Sequence, residues 1–321
     1  MQRRDLLKAG VFSIAAAFTE RLPAQKSVSI PVIDAHIHLF DPTRPGGVPW
    51  PEKSDSLLYK PALPDRYKQV TEGLGVRGAI AVECSPWESD NDWLLKTAGT
   101  DPVIVGVIGD LVPGSSSFGK NLDRLSANQL FRGIRYGNLW DRNLSVDLNK
   151  PGFVDGLKAL ASAGLVLESA NPDAELIAAL VRTKDRVPDL RIVADHLPNA
   201  VVPTDSAGKM EFRKNLERLR EGSGVFIKLS EIPMRVDGKV PLDLTFYKAK
   251  LDDLWNLFGE DRVIFGSDWP NSDHLADYAS TLRLAQSYAA TKSRAAQEKY
   301  FWRNSIAAYG WKPRSKDQST L

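Results

Sequence analysis

The sequence predicts an α/β fold, a single-domain (β/α)8 TIM barrel preceded by an export signal, on three observations. Eight short β-branched or apolar runs recur beyond residue 30. Stretches of helical periodicity separate them, and strand–helix alternation argues for a parallel sheet with helical crossovers. From His38 to Asp268 the mean step is roughly 33 residues, the length of one strand–helix unit with its loops. An open doubly wound sheet is the alternative. Against it, "HLFDPTRPGGVPWPE" after the first run has glycines but no G-x-G-x-x-G.

Residues 1–24 read as an address rather than as fold. Arg3 and Arg4 precede the apolar stretch "AGVFSIAAAF", which is too short to span a bilayer but suits a signal-peptide core. The spacing resembles a twin-arginine export signal, with departures at Gln2 and Leu6. The expectation is a periplasmic or secreted protein cut near Ala24. An amphipathic N-terminal arm is the rival reading. No later segment is apolar enough to span, so no membrane span is expected after cleavage.

The barrel domain is placed at 31–312. Its runs are "VIDAHIH" (32–38), "GAIAVEC" (78–84), "VIVGVIGDL" (103–111), "FRGIRYG" (131–137), "GLVLES" (164–169), "RIVADH" (191–196), "VFIKLS" (225–230) and "RVIFGSD" (262–268). Helical patterns between them include "GFVDGLKALASAG", "PDAELIAALVRTKDRVP" and "EFRKNLERLREGSG", the last ending on a glycine suited to a C-cap. Residues 39–64 are proline-rich and aperiodic, a long loop of the kind that carries function. Residues 313–321 form a polar tail that should fray.

Composition narrows the chemistry. A formal net charge of +2, with lysine and arginine spread along the chain, disfavours nucleic acid as a partner. The single cysteine, Cys84, excludes an internal disulfide and a Cys-x-x-Cys metal site, and reads as a small buried apolar residue. The expected partner is a small-molecule substrate, and the sequence leaves the oligomeric state open.

Two of the four histidines, His36 and His38, lie two apart on the first run. Alternation along a strand gives them one face, with Ile37 opposite. At the C-terminal end of a barrel strand both imidazoles would face the interior and could grip one divalent cation. A pair of hydrogen-bonded core histidines is the plainer reading. His196 ends run six and Asp268 ends run eight, so the fold would bring all four residues together. Packing explains such a set poorly, because buried aspartate and histidine need partners.

"DAHIH" on the first strand, "DH" on the sixth and "FGSDWP" on the eighth resemble the amidohydrolase superfamily. They are closest to its amidohydrolase-related branch (amidohydrolase 2), which includes sugar and dicarboxylate lactonases and related decarboxylases. The resemblance spans about residues 31–312. It implies His36, His38 and Asp268 as metal ligands, and His196 as a ligand or as the group that polarises a substrate carbonyl. Where binuclear members carry a lysine or glutamate on strand four, this chain has Arg135. Where many carry a strand-five histidine, it has Glu168. One zinc or manganese ion is therefore expected, with Glu168 or Glu83 as further ligands, or no ion at all, as in some lactonases of the branch.

The expected activity is that of a hydrolase, a lactonase opening a small sugar or carboxylate lactone, with catalytic Asp268 activating water beside His196. A non-oxidative metal-dependent decarboxylase and a catalytically inactive periplasmic binding protein are the alternatives. Arg135, Arg235 and Lys228 are candidates for binding substrate charge or hydroxyls. Trp269, with Trp87 and Trp140, could stack on a ring. Asp195 is expected to cap or orient neighbouring groups, Asp34 to do the same or help close the barrel bottom, and His274 to start a helix at the surface.

Overall fold

Residues 30–321 are described in a computed structural model; the expected signal at 1–24 lies outside them. All eight runs form strands: β1 Val32–Ile37, β2 Val76–Val82, β3 Ile104–Gly109, β4 Phe131–Arg135, β5 Val166–Ser169, β6 Arg191–Ala194, β7 Val225–Ser230 and β8 Val263–Gly266. They pair in parallel in sequence order. The circle closes at the upper rim through a parallel bridge between Ile37 and Trp269. There Asp268 N–H donates to His36 O at 2.9 Å, and His38 N–H donates to Trp269 O at 2.7 Å.

Helices at 153–162 and 174–186 fall within the periodic stretches, the helix at 206–221 starts five residues ahead of its stretch, and further helices lie at 90–99 and 245–258. Their leucines and aromatics form one core with the outward residues of the strands, such as Val32, Ile37 and Leu167. A second apolar cluster joins the inward residues Ile33, Val166, Val193 and Ile264 to Trp302, Tyr309 and Trp311 of the C-terminal segment. That segment plugs the lower end of the barrel. Among the described residues, no helix is long and apolar enough to cross a membrane.

The tail is not frayed. Residues Lys316–Ser319 form a helical turn with a capping box between Ser315 and Gln318. The buried Gln318 side chain donates to Arg77 O and Pro102 O, both at 2.8 Å, at the starts of β2 and β3. Arg314 donates to Ala98 O and Asp101 O at 2.9 Å. The polar residues that suggested fraying instead donate to carbonyls at and near the strand starts. Gln318→Ala should lower stability by about 0.5–1.5 kcal/mol, since the buried side chain loses its hydrogen bonds to two carbonyls. A urea midpoint that falls while kcat/KM holds would meet that expectation; an unchanged midpoint would refute it.

Candidate active site

A β-bulge builds the centre. The pairing of β1 with β2 shifts register between Asp34 and Ile37. Ile33 and Ala35 join the interior cluster, Asp34 turns outward, and His36 then faces inward. Strict alternation would have put Asp34 beside the histidines. Its carboxylate instead lies between barrel and helices, accepting from Tyr278 OH at 3.0 Å and Tyr67 OH at 3.2 Å. It also accepts from Ser267 N–H at 2.9 Å, so it fixes the peptide that leads into Asp268. Gly266 beside it is required by space, because a Cβ there would stand 2.8 Å from the His36 Cβ.

His36, His38, His196 and Asp268 converge as their strand ends implied. Asp268 Oδ1 lies 3.4 Å from His36 Nε2, 3.1 Å from His38 Nε2 and 3.7 Å from His196 Nε2. Its other oxygen accepts from Asn271 Nδ2 at 2.7 Å. Burial alone would push the Asp268 carboxyl up. The neighbouring His196 and His38 and the hydrogen bond from Asn271 outweigh burial and hold it at about 2, so it is anionic at neutral pH. Burial lowers the pKa of both His36 and His196, and Lys228 lowers that of His36 further, so both rings are neutral there.

A layer of buried charge lies beneath the centre. Lys228 Nζ donates to Glu168 Oε1 at 2.8 Å, lies 3.0 Å from Asp195 Oδ1, and approaches His36 Nδ1 at 3.0 Å. Tyr309 OH also donates to Glu168. Burial, with the nearby Asp195 charge, pushes Glu168 up to about 7. This layer changes the expected roles of two residues. Lys228 is sealed inside the barrel, because an inward residue two positions short of the strand end lies below the rim; it does not face the cavity. Glu168 is turned to Lys228 and Tyr309 and stands outside the ligand cluster.

Above the centre, a cavity of about 260 Å³ is lined by residues that include His38, Trp50, Arg135, Trp140, Asn171, His196, Glu231, Asp268 and Asn271. Trp50 comes from the proline-rich loop, whose base is pinned by two backbone hydrogen bonds between Phe40 and Ala62, of 3.1 and 2.8 Å. Arg135 reaches the cavity but is paired with Glu83, its Nε donating to Oε1 at 2.7 Å. Glu83 also accepts from Ser85 N–H at 2.9 Å and Trp140 Nε1–H at 3.1 Å, which occupies it away from the imidazoles.

Two other expected contacts lie elsewhere. Trp269 is fully buried against Tyr67 with the Arg66 guanidinium over its ring, because the residue after inward Asp268 points outward. Arg235 is exposed on the loop after β7, donating to Gly238 O and His274 O. His274 pairs with Asp55 at 2.9 Å near the surface. Asn171, Asn271 and Glu231 line the cavity and were not singled out in the sequence. Glu231 directly follows run seven, so the strand-end argument that picked out His196 and Asp268 would have found it.

The donor set fits one divalent cation. His36, His38 and Asp268 offer ligand atoms within 4.8 Å of one another. Tetrahedral zinc with bonds of about 2.0–2.1 Å has ligand–ligand edges of about 3.3 Å, close to the 3.1 and 3.4 Å found from Asp268 to the two imidazoles. His38 Nδ1–H donates to Val82 O at 3.0 Å, which leaves the Nε2 lone pair facing an Asp268 oxygen. Two electron pairs at that distance call for a positive charge between them. His36 Nε2 is buried without a hydrogen-bond partner.

The closed parallel barrel carries its histidine–aspartate centre at the C-terminal rim, the end where enzymes of this fold hold their active sites. The chain belongs to the amidohydrolase family, which it matches over residues 33–311, and is a hydrolase of that family. It is 28% identical to an L-fucono-1,5-lactonase of Burkholderia ambifaria, over 78% of this chain and 85% of that one. Among solved structures it is similar to an amidohydrolase from Burkholderia multivorans with bound zinc (TM-score 0.74, 20% identity, 88% of this chain and 100% of that one). It is also similar to a probable 2-pyrone-4,6-dicarboxylic acid hydrolase from Acinetobacter baumannii with bound citric acid (TM-score 0.69, 20% identity, 87% and 99%).

Proposed function

We propose that the enzyme hydrolyses a neutral sugar lactone. The observation that carries this choice is the pairing of Arg135: among the described residues it is the one lysine or arginine lining the cavity, and Glu83 neutralises it at 2.7 Å. A dicarboxylate lactone would need an unpaired cation there. The remaining polar walls, Asn171, Asn271 and Glu231, offer donors and acceptors for hydroxyl groups, and Trp50 and Trp140 offer faces for a ring. The lactonase relative in Burkholderia ambifaria supports the same substrate class.

Anionic Asp268 takes a proton from the attacking water. As the ring C–O bond breaks, it returns that proton to the leaving oxygen. His196 N–H donates to Ser230 Oγ at 3.3 Å, so the Ser230 hydroxyl is free to donate to His196 Nδ1, 2.9 Å away. That tautomer puts the His196 proton on Nε2, aimed at the centre, where it stabilises a developing oxyanion. His36, His38 and Asp268 would hold a divalent ion, zinc or manganese, which when bound polarises the carbonyl and acidifies water. Export to the periplasm is part of the proposal and rests on Arg3, Arg4 and the apolar run after them.

The test is a purified mature chain assayed for metal content and for acid release from aldonolactones and from dicarboxylate lactones. Acid from the neutral sugar lactones is expected. Acid only from dicarboxylates, or carbon dioxide from an aromatic acid with no lactone turned over, would overturn the reading.

A further inference from the structure

We propose that Glu231 is a specificity-determining residue that accepts a hydrogen bond from a ring hydroxyl of the substrate; this rests on the sugar-lactone reading. The backbone makes the first argument. Among the described residues, seven non-glycine residues have φ in the left-handed region: Trp140, Asp141, Asn171, His196, Glu231, Asp237 and Asp268. Five of these (Trp140, Asn171, His196, Glu231 and Asp268) line the cavity. Strands β5, β6, β7 and β8 each lead into one of them within two residues of the strand end, and two of the four, His196 and Asp268, form the centre itself. Asparagine and aspartate tolerate this conformation, but glutamate has no such affinity for it, and glycine would adopt φ 51° at Glu231 with less strain. Strain kept at a cavity wall where glycine would serve the chain better points to use of the side chain.

The contacts of the carboxylate make the second argument. Asn199 Nδ2 donates to the Glu231 backbone carbonyl at 2.9 Å and to Oε2 at 3.0 Å. This fork orients the side chain and, among the described residues, leaves Oε1 without a hydrogen bond. Oε2 lies 3.8 Å from His196 Nδ1, so the carboxylate stands beside the His196 ring at the cavity wall. A fixed carboxylate with one open oxygen in a largely enclosed wall is a strong acceptor for a hydroxyl. It offers nothing to an unsubstituted ring. The rival role is structural, a clip between the loop after β7 and the turn Leu197–Asn199.

Glu231→Gln and Glu231→Gly are to be compared on an aldono-1,5-lactone and on δ-valerolactone, which has the same ring without hydroxyls. Loss of one charged hydrogen bond should lower kcat/KM for the aldonolactone by about 10- to 100-fold, mostly through KM. The loss on δ-valerolactone should be at least about fivefold smaller than the loss on the aldonolactone. Glu231→Gly should keep or raise Tm, because glycine relieves the left-handed backbone. Equal losses on both lactones, no loss on either, or a Tm that drops in Glu231→Gly would each overturn the proposal. If the wild type turns over no lactone, the sugar-lactone reading falls. Glu231 is then judged by calorimetry with a neutral aldohexose: tenfold weaker binding in Glu231→Gln supports its role, and equal or absent binding in the wild type overturns it.

Discussion

Asp268→Asn is expected to lower kcat/KM by about 10²- to 10⁴-fold, the range for removing a positioned general base, and to leave the fold intact. The substitution keeps shape and volume. It also keeps the backbone at ease, because asparagine is among the residues that best accept a left-handed φ such as the 64° found here. What it removes is the negative charge that His36, His38 and His196 surround. An amide cannot take the proton of water and is a poor cation ligand, so bound metal should fall along with turnover. The measurement is kcat/KM, metal content and Tm on the same preparation. A variant that retains more than a tenth of wild-type activity would remove Asp268 from the chemistry.

Lys228→Met should cost about 3–5 kcal/mol of stability, the usual price of leaving buried charge unpaired. Lys228, Glu168 and Asp195 are all fully buried, and the ammonium is the cation that holds the two carboxylates together. The pH dependence has a definite sign. The Glu168 pKa is raised from 4.5 to about 7, first by burial and then by Asp195, so between those values the native state binds more protons than the unfolded state. In that window Glu168 makes stability fall as pH rises. Without Lys228 the carboxyl is harder still to ionise, and the fall extends to higher pH. Urea midpoints at pH 5.5 and pH 8 check this: the deficit of Lys228→Met should be larger at pH 8. Adding Glu168→Gln should restore part of it, since the neutral amide no longer carries an unpaired charge. A deficit independent of pH would show that lost packing, rather than charge, is what the substitution measures.

The strands and the centre were legible in the sequence for the same reason. A barrel strand must be apolar until it reaches the rim, and the first polar residue after it faces the mouth. That logic exposes His38, His196 and Asp268 directly, and applied evenly it reaches Glu231 as well. It fails where depth matters. Lys228 and Arg235 both follow from run seven, yet one is sealed within the barrel and the other exposed on a loop. No periodicity records how far below the rim a residue sits. It also fails where partners come from distant sequence. Glu83 and Arg135 each look free alone, and only the contact between β2 and β4 sides shows that they cancel. The tail misled because a polar composition describes both a solvated end and one whose side chains serve buried carbonyls.

The bulge in β1 gives "DAHIH" two jobs on opposite sides of one wall. Asp34 grips the hydroxyls of Tyr67 and Tyr278 on the outer helices, and His36 faces the centre. The same carboxylate holds the Ser267 amide, one residue before Asp268. The outer helices and the Asp268 peptide are therefore linked across the thickness of the barrel. A substitution at either tyrosine, neither of which lines the cavity, reaches Asp268 through Asp34 and the Ser267 amide. The five-letter word thus ties the outer layer of the barrel to the geometry of its mouth.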